Sequence, residues 1–235
     1  KLREAIIIFT RVPVAGKTKT RLEATISPEE CAQLHRCFLK DLKRLCEDSG
    51  RKCFVFYTPS GMKKSLYPLL GKDKTDVPQK GKSLGERMQN AIEHVLGAGY
   101  DSCVLTGTDI PELERADIVQ AFNCLRESDV VFGPTSDYGY YLVGMKKPCI
   151  EIFDNQTYGY GSVLRNTIES AKSAGRSYRL INAHMDIDEP EDLFSLKNRI
   201  DTGEYDRNTH TAKYIEYLVK EYEDIWTESA DCGTI

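Results

Sequence analysis

Four cations fall within eleven residues near the start of the chain: Arg11, Lys17, Lys19 and Arg21, set among Thr10, Gly16, Thr18 and Thr20. Guanidinium and ammonium groups beside glycine- and threonine-containing backbone suit a phosphate, because they offer charge-assisted hydrogen bonds and free N–H groups to a ligand that is costly to strip of water. Gly16-Lys17-Thr18 invites comparison with the phosphate loop G-x-x-x-x-G-K-[ST]. That pattern needs a glycine where the chain has Arg11 and an immediate helix, which Pro28 delays, so it is set aside. The competing account of the same four cations is a solvated basic surface loop.

The second set of candidates is acidic. Asp109, in Gly107-Thr108-Asp109-Ile110-Pro111, follows the apolar run 102–106, and a carboxylate at a strand end can hold Mg²⁺ or Mn²⁺ against phosphate oxygens. Asp186 and Asp188, in Asp186-Ile187-Asp188-Glu189-Pro190, would share one face of extended backbone while Ile187 points away. Both places also read as helix caps. Asp137 lies in Gly133-Pro134-Thr135-Ser136-Asp137-Tyr138-Gly139-Tyr140-Tyr141, either a turn over a ligand with a carboxylate near a proton transfer, or a hairpin turn with core tyrosines. Two glycines in Gly81-Lys82-Ser83-Leu84-Gly85-Glu86-Arg87-Met88 mark a helix start that could approach a base or phosphate. His35 and His94 fall inside helical patterns and read as structural; His184 lies beside the Asp pair but, as a lone histidine, is a weaker candidate.

These residues need a scaffold, and the chain alternates short apolar runs with longer helical patterns, as a mainly parallel sheet with crossover helices does. Strands are expected at Ala5–Phe9, Cys53–Tyr57, Ser102–Thr106, Val130–Gly133, Tyr140–Met145 and Tyr178–Ile181. Helices are expected at Pro28–Glu47 (capped by Ser27 with Glu30), Leu84–Leu96, Glu112–Leu125, Ser162–Ala174, Glu189 to about Thr202, and peripherally around Thr209–Ile225 before a frayed tail. We therefore expect one domain over 1–205 and an added helix and tail over 206–235. A length of 235 residues and 40% hydrophobic residues suffice for one large core. The net charge of −4 argues against a nucleic-acid partner, and the apolar run Ala5–Phe9 is too short for a membrane span or a signal segment, so a cytoplasmic location is expected. Eight cysteines contain no C-x-x-C pair and mostly sit in apolar runs; they read as buried thiols.

Taken in order, Phe9–Leu22, Leu84–Met88, Gly107–Pro111, Asp137–Tyr141 and Asp186–Leu193 resemble the GT-A-type nucleotide-diphospho-sugar transferase superfamily, in a bacterial glycosyltransferase-like branch similar to 2-phospho-L-lactate guanylyltransferase and more distantly to molybdenum cofactor guanylyltransferase. The resemblance spans about Ile6 to Leu196 and implies a three-layer α/β/α fold. It implies Lys17 and Arg21 on phosphates, Asp109 and Asp188 as ligands of Mg²⁺ or Mn²⁺, Gly85 near the base or ribose, and Asp137 near the second substrate. We take Lys17, Arg21, Asp109 and Asp137 as catalytic candidates, and Thr10, Arg11, Gly16, Lys17, Arg21 and Gly85 as nucleotide-binding ones. Two departures stand out: Tyr138 occupies the first position of the branch's usual Gly-Gly, and Thr157–Ser162 lacks the usual Trp. The expected activity is transfer of a nucleotidyl group from an NTP to a small phosphorylated acceptor with release of pyrophosphate. Glycosyl transfer from an NDP-sugar, and a non-catalytic nucleotide-sugar-binding module, are the alternatives; a homo-oligomer stays open.

Overall fold

The computed structural model describes residues 2–154, 156–159, 161–222 and 226. Seven strands form one sheet: β1 (Glu4–Arg11), β2 (Lys52–Thr58), β3 (Thr75–Pro78), β4 (Ser102–Thr106), β5 (Val130–Pro134), β6 (Tyr140–Met145) and β7 (Tyr178–Leu180), in the order β3-β2-β1-β4-β6-β5-β7. All pairings are parallel except those of β6, which runs antiparallel to both β4 and β5. The helices are α1 (Pro28–Ser49), α2 (Tyr67–Leu70), α3 (Leu84–Gly97), α4 (Arg115–Glu127), α5 (Val163–Ser173), α6 (Pro190–Thr202) and α7 (His210–Glu221).

The unbroken apolar run of β1 is explained by burial on both faces. Ile6 and Ile8 pack with Leu39, Leu42 and Leu45 of α1 and with Ile118, Phe122 and Leu125 of α4. The alternate residues Ala5 and Ile7 pack with Met88, Ile92 and Val95 of α3 and with Ala171 of α5. Period-two alternation thus sends each strand's side chains into two separate cores, producing the three layers. A third cluster joins Leu34 and Phe38 of α1 to Leu193, Leu196 and Ile200 of α6, Ile215 and Leu218 of α7, and Leu22 of the 3-10 turn Thr20–Ala24.

The helix over 112–125 begins later than expected, at Arg115. Leu113 N–H closes a turn on the Ile110 carbonyl at 3.2 Å, and the cap falls to Glu114, whose N–H is bound by Asp117 at 2.9 Å. Two elements were not expected at all: α2 and the edge strand β3, both in the lysine-rich stretch 63–78. The expected end of α7 at 223–225 lies outside the described residues, as do most of the expected tail, including Cys232, and Tyr160 of the 157–162 turn. Among the described residues seven cysteines are free thiols, all buried but the half-buried Cys124. No described helix is long and apolar enough to cross a membrane.

The order of the sheet fixes where chemistry can occur. Moving out from β1, the chain runs to β2 and β3 on one side and to β4 on the other, which opens a crevice at the carboxyl ends of β1 and β4. Because β1, β4, β5 and β7 are mutually parallel, the segments that leave them, including the basic loop, Asp109, Asp137 and the Asp186–Asp188 run, all emerge at that one edge.

Candidate functional site

A cleft of about 610 Å³ opens at this edge. Thr10, Arg11, Lys17 and Arg21 line it from the first loop; Asp109, Asp137, Asp186 and Asp188 line it from the other loops. Its volume lies in the range of small-molecule sites.

The loop after β1 is held by Thr18, which is buried. Its hydroxyl accepts from Val14 N–H at 3.0 Å and donates to the Val12 carbonyl at 3.4 Å. This turn leaves Lys17 exposed on the rim and brings the next residue but one inward. Lys19 adopts a left-handed backbone (φ 56°) as it starts the 3-10 turn, whose Leu22 plugs the third core cluster. The result is a buried ammonium: the Lys19 side chain is 3% exposed, and its Nζ lies 2.6 Å from Asp109 Oδ1, 2.8 Å from Asp188 Oδ1 and 2.5 Å from the Ile187 carbonyl. The Phe38 ring lies beneath it, 5.6 Å away. Burial by itself would drive the proton off Lys19, yet the two carboxylates outweigh it and hold the pKa above the ordinary lysine value. For Asp109, burial favours the neutral acid, but Lys19, His35 and Arg11 prevail and keep it below the usual carboxylate range.

Both carboxylates are free to do this because other groups take the helix-capping duties. Asp192 accepts from Asp188 N–H and Glu189 N–H at 3.0 and 2.8 Å, with Glu189 as the N-cap of α6 and Pro190 in its first turn. Ile187 N–H donates to the Asp109 carbonyl at 3.0 Å, which ties the loop after β7 to the loop after β4, and Ile187 itself is fully buried. Asp186 faces the cleft as well. Burial, then the neighbouring Asp137 and Asp188, raise its pKa to about 6. The Asp137 carboxylate is fixed by the Thr135 hydroxyl and by Gly139 N–H at 3.0 Å, within a turn that does join β5 to β6 as a hairpin.

Three hard oxygens around one cationic nitrogen form a donor set that a divalent ion would also accept. Among the described residues, no group of three or more His, Cys, Asp or Glu is arranged to hold a metal ion on protein side chains alone. Asp109 and Asp188 would therefore hold such an ion together with a carbonyl, waters or ligand phosphates. Their side chains are 45% and 41% exposed and open to the cleft.

Other expected residues fall differently. Thr10 is buried in the floor, its hydroxyl donating to the Arg11 carbonyl at 3.0 Å and lying 3.3 Å from Thr108 Oγ1. Arg21 is paired with Glu189 at 3.0 Å on the surface. Gly16 sits at the outer turn with φ 72°, a left-handed value that suits glycine, and does not reach the cleft wall. Gly85 lies in the first turn of α3 where a Cβ would stand 2.7 Å from the Phe153 carbonyl; close packing accounts for this glycine, while its neighbours Leu84, Arg87 and Met88 line the cleft. Tyr138 is 69% exposed and takes φ 67°, so the residue beside Asp137 carries a backbone angle that favours glycine.

Sequence reasoning gave Lys19 no separate role and set His35 aside. His35 is buried at the cleft floor, with Nε2 3.3 Å from Thr10 Oγ1 and Nδ1 3.6 Å from Asp109 Oδ1; burial pushes its pKa down to about 4, so it is neutral near pH 7. A usable signal for Lys19 was its spacing: it precedes by three the lone large apolar residue of the loop, Leu22, and i and i+3 share a side of a 3-10 turn. His94 packs edge-on against Phe54 and Phe56, and His184 binds Asp117 at 2.8 Å away from the cleft.

The sequence profile of the family described as "Uncharacterized protein conserved in bacteria (DUF2064)" matches residues 41–160. A protein from Desulfovibrio desulfuricans G20, provisionally assigned as a nucleotide-diphospho-sugar transferase, has a solved structure with a TM-score of 0.88 at 28% identity, covering 97% of this chain and 98% of that one. At the level of fold, a cytidylyltransferase from Leptospira borgpetersenii serovar Hardjo-bovis (TM-score 0.55, 11% identity, 96% and 97% covered) is similar. So is CMP:2-keto-3-deoxy-manno-octonic acid synthetase solved with CTP (TM-score 0.54, 11% identity, 86% and 99% covered). No curated protein sequence is similar enough to count as a match.

Proposed function

We propose, from the premise that this chain belongs to the DUF2064 family and is a transferase of the nucleotide-diphospho-sugar transferase fold, that it moves a nucleotidyl group from an NTP to a small phosphorylated acceptor. The observation that carries the reading is the pairing of opposites at one cleft: Arg11, Lys17 and Arg21 on its basic side, and Asp109 and Asp188 convergent on a cation site at the end of β4. Arg11 and Lys17, joined by Arg21, whose partner Glu189 lies on the surface, suit the charge of a triphosphate. In the reaction, an acceptor phosphate oxygen forms a bond to the α-phosphorus while the bond to the α–β bridging oxygen breaks, and pyrophosphate leaves with that electron pair. A phosphate nucleophile needs no deprotonation, so the protein's contribution is alignment and charge neutralisation. A Mg²⁺ or Mn²⁺ held by Asp109 and Asp188 would supply further neutralisation of the phosphates. Lys17 and Arg21 would bind phosphate, Thr10 and Arg11 would shape the floor and side, and the α3 start beside Gly85 would face the base. Asp137 and Asp186 would face the acceptor.

The likeness to the Desulfovibrio protein supports a second reading, glycosyl transfer from an NDP-sugar, in which the exposed ring of Tyr138 would stack on a sugar. Incubation of a panel of NTPs and NDP-sugars with phosphorylated and hydroxyl acceptors, with Mg²⁺, separates the two. Pyrophosphate release is expected; nucleoside diphosphate release without pyrophosphate would hand the activity to the sugar reading. Neither product, together with tight nucleotide binding, would leave a binding module.

A further inference from the structure

The cation that Asp109 and Asp188 hold in the free protein is the chain's own Lys19. We infer that Lys19 is an internal stand-in for the divalent ion: it occupies the two-carboxylate site until a metal-bearing nucleotide arrives, and must leave that site for the ion to enter. The inference rests on the reading that a divalent ion and nucleotide phosphates share this cleft.

Three oxygens, two of them from carboxylates, converge on the Lys19 nitrogen at 2.5–2.8 Å, and hard oxygens of this kind are the ligands a divalent ion takes. Two cations cannot both use these oxygens. An ammonium between Asp109 and Asp188 also cancels half their charge, which weakens the pull on any ion bound through their outer oxygens. Lys19 lies outside the strands and α-helices of the three layers. It sits in an irregular segment, at the start of a single 3-10 turn, and carries its charge on a flexible four-carbon stem that borders the cleft. Phosphates arriving in the cleft would give the displaced ammonium a new partner, so exchange costs neither cation its counter-ions. Arg21 and Lys17 are not equivalent to it, since Arg21 is surface-paired with Glu189 and Lys17 is exposed. The arrangement would make divalent-ion binding depend on nucleotide, which keeps an empty cleft from holding a bare metal.

The test needs no turnover. Mn²⁺ binding to the nucleotide-free protein is followed by electron paramagnetic resonance for wild type, Lys19→Met and Lys19→Gln, with folding checked by circular dichroism. Removal of the ammonium is expected to tighten Mn²⁺ by at least about tenfold in both variants. Equal or weaker binding would mean that Lys19 only positions the carboxylates, and would overturn the exchange. Should the variants not fold, wild-type protein decides: Mg²⁺ together with an NTP is expected to shift the Lys19 Cε–Hε resonance beyond any change that either gives alone, and a resonance that stays in place while the Mg²⁺–NTP pair binds overturns the inference. If the variants bind Mn²⁺ more tightly but no nucleotide binds wild type, the competition between Lys19 and the ion stands and the proposed transferase reading falls.

Discussion

Two ionic clusters lie on either side of the Gly107–Glu112 segment, and they are built on opposite principles. In the first, Lys19 faces Asp109 and Asp188, whose side chains are nearly half exposed, with Asp186 and Asp137 adding further negative charge nearby. In the second, Arg199 binds Glu112 at 2.6 Å and His184 binds Asp117 at 2.8 Å, with the carboxylates only 6% and 2% exposed. Asn182 and the Glu114 N–H fill the remaining valences of Asp117 at 3.1 and 2.9 Å. The second cluster has buried carboxylates and is balanced in charge: two anions, one permanent cation, and a histidine whose pKa is raised chiefly by its hydrogen bond to Asp117. The first is open and left with surplus negative charge. A charge-balanced cluster with buried carboxylates fixes structure, whereas an open, unbalanced one is prepared for a ligand of opposite charge.

Substitutions should therefore separate the clusters by readout. Asp109→Asn should lower transfer activity about a hundred- to a thousandfold, and should lower the denaturation midpoint by less than Asp117→Ala does, because Lys19 keeps Asp188 and the Ile187 carbonyl as partners. Asp117→Ala should do the converse. Leaving His184 and Asn182 without their buried partner should destabilise by roughly 3 kcal/mol in urea unfolding, with nucleotide affinity unchanged. A strongly destabilised Asp109→Asn that keeps its activity would erase the distinction.

The rim gives a smaller effect. Lys17→Ala and Arg21→Ala should each weaken nucleotide binding by roughly 1–3 kcal/mol in titration calorimetry, the scale of one charge-assisted hydrogen bond, with stability nearly unchanged. Wild-type affinity in both variants would remove the phosphate role from this loop.

The comparison also explains what could be read from the sequence. Strands buried on both faces announce themselves as apolar runs, so β1, β2 and β4 were legible, as were the helices with a regular apolar stripe and the cap at Ser27. The edge strand β3 was not: its four residues are all half-buried, and Thr75-Asp76-Val77-Pro78 carries little apolar signal. The loops bearing Asp109, Asp137 and Asp188 could be placed at one edge because parallel strands put them there. Which cation of the first loop turns inward could not be read from charge density. The left-handed φ at Lys19 decides it, and backbone conformation of a single non-glycine residue leaves no compositional mark. The partners of His184 were likewise hidden, since Asp117 lies 67 positions away in sequence.

The smallest effect is in the pH dependence of stability, and there the clusters differ by window. His184 has a raised pKa in the folded protein, so its pairing with Asp117 contributes fully below the unfolded value of about 6.5 and is lost as pH rises through the folded value. Asp186 titrates earlier. Its folded pKa of about 6 exceeds the ordinary 3.8, so the folded state holds a proton that the unfolded chain has released, and stability falls as pH rises between those two values. His184→Gln should flatten the stability profile above pH 6.5 and leave the acidic part intact. Asp186→Asn should flatten the profile between about pH 4 and 6 and leave the upper part intact. Urea unfolding of wild type and both variants at half-unit steps from pH 4 to 9 provides the difference curves. Curves with the same shape for both variants would show that the two sets of charges respond as one network rather than as a balanced cluster and an open one.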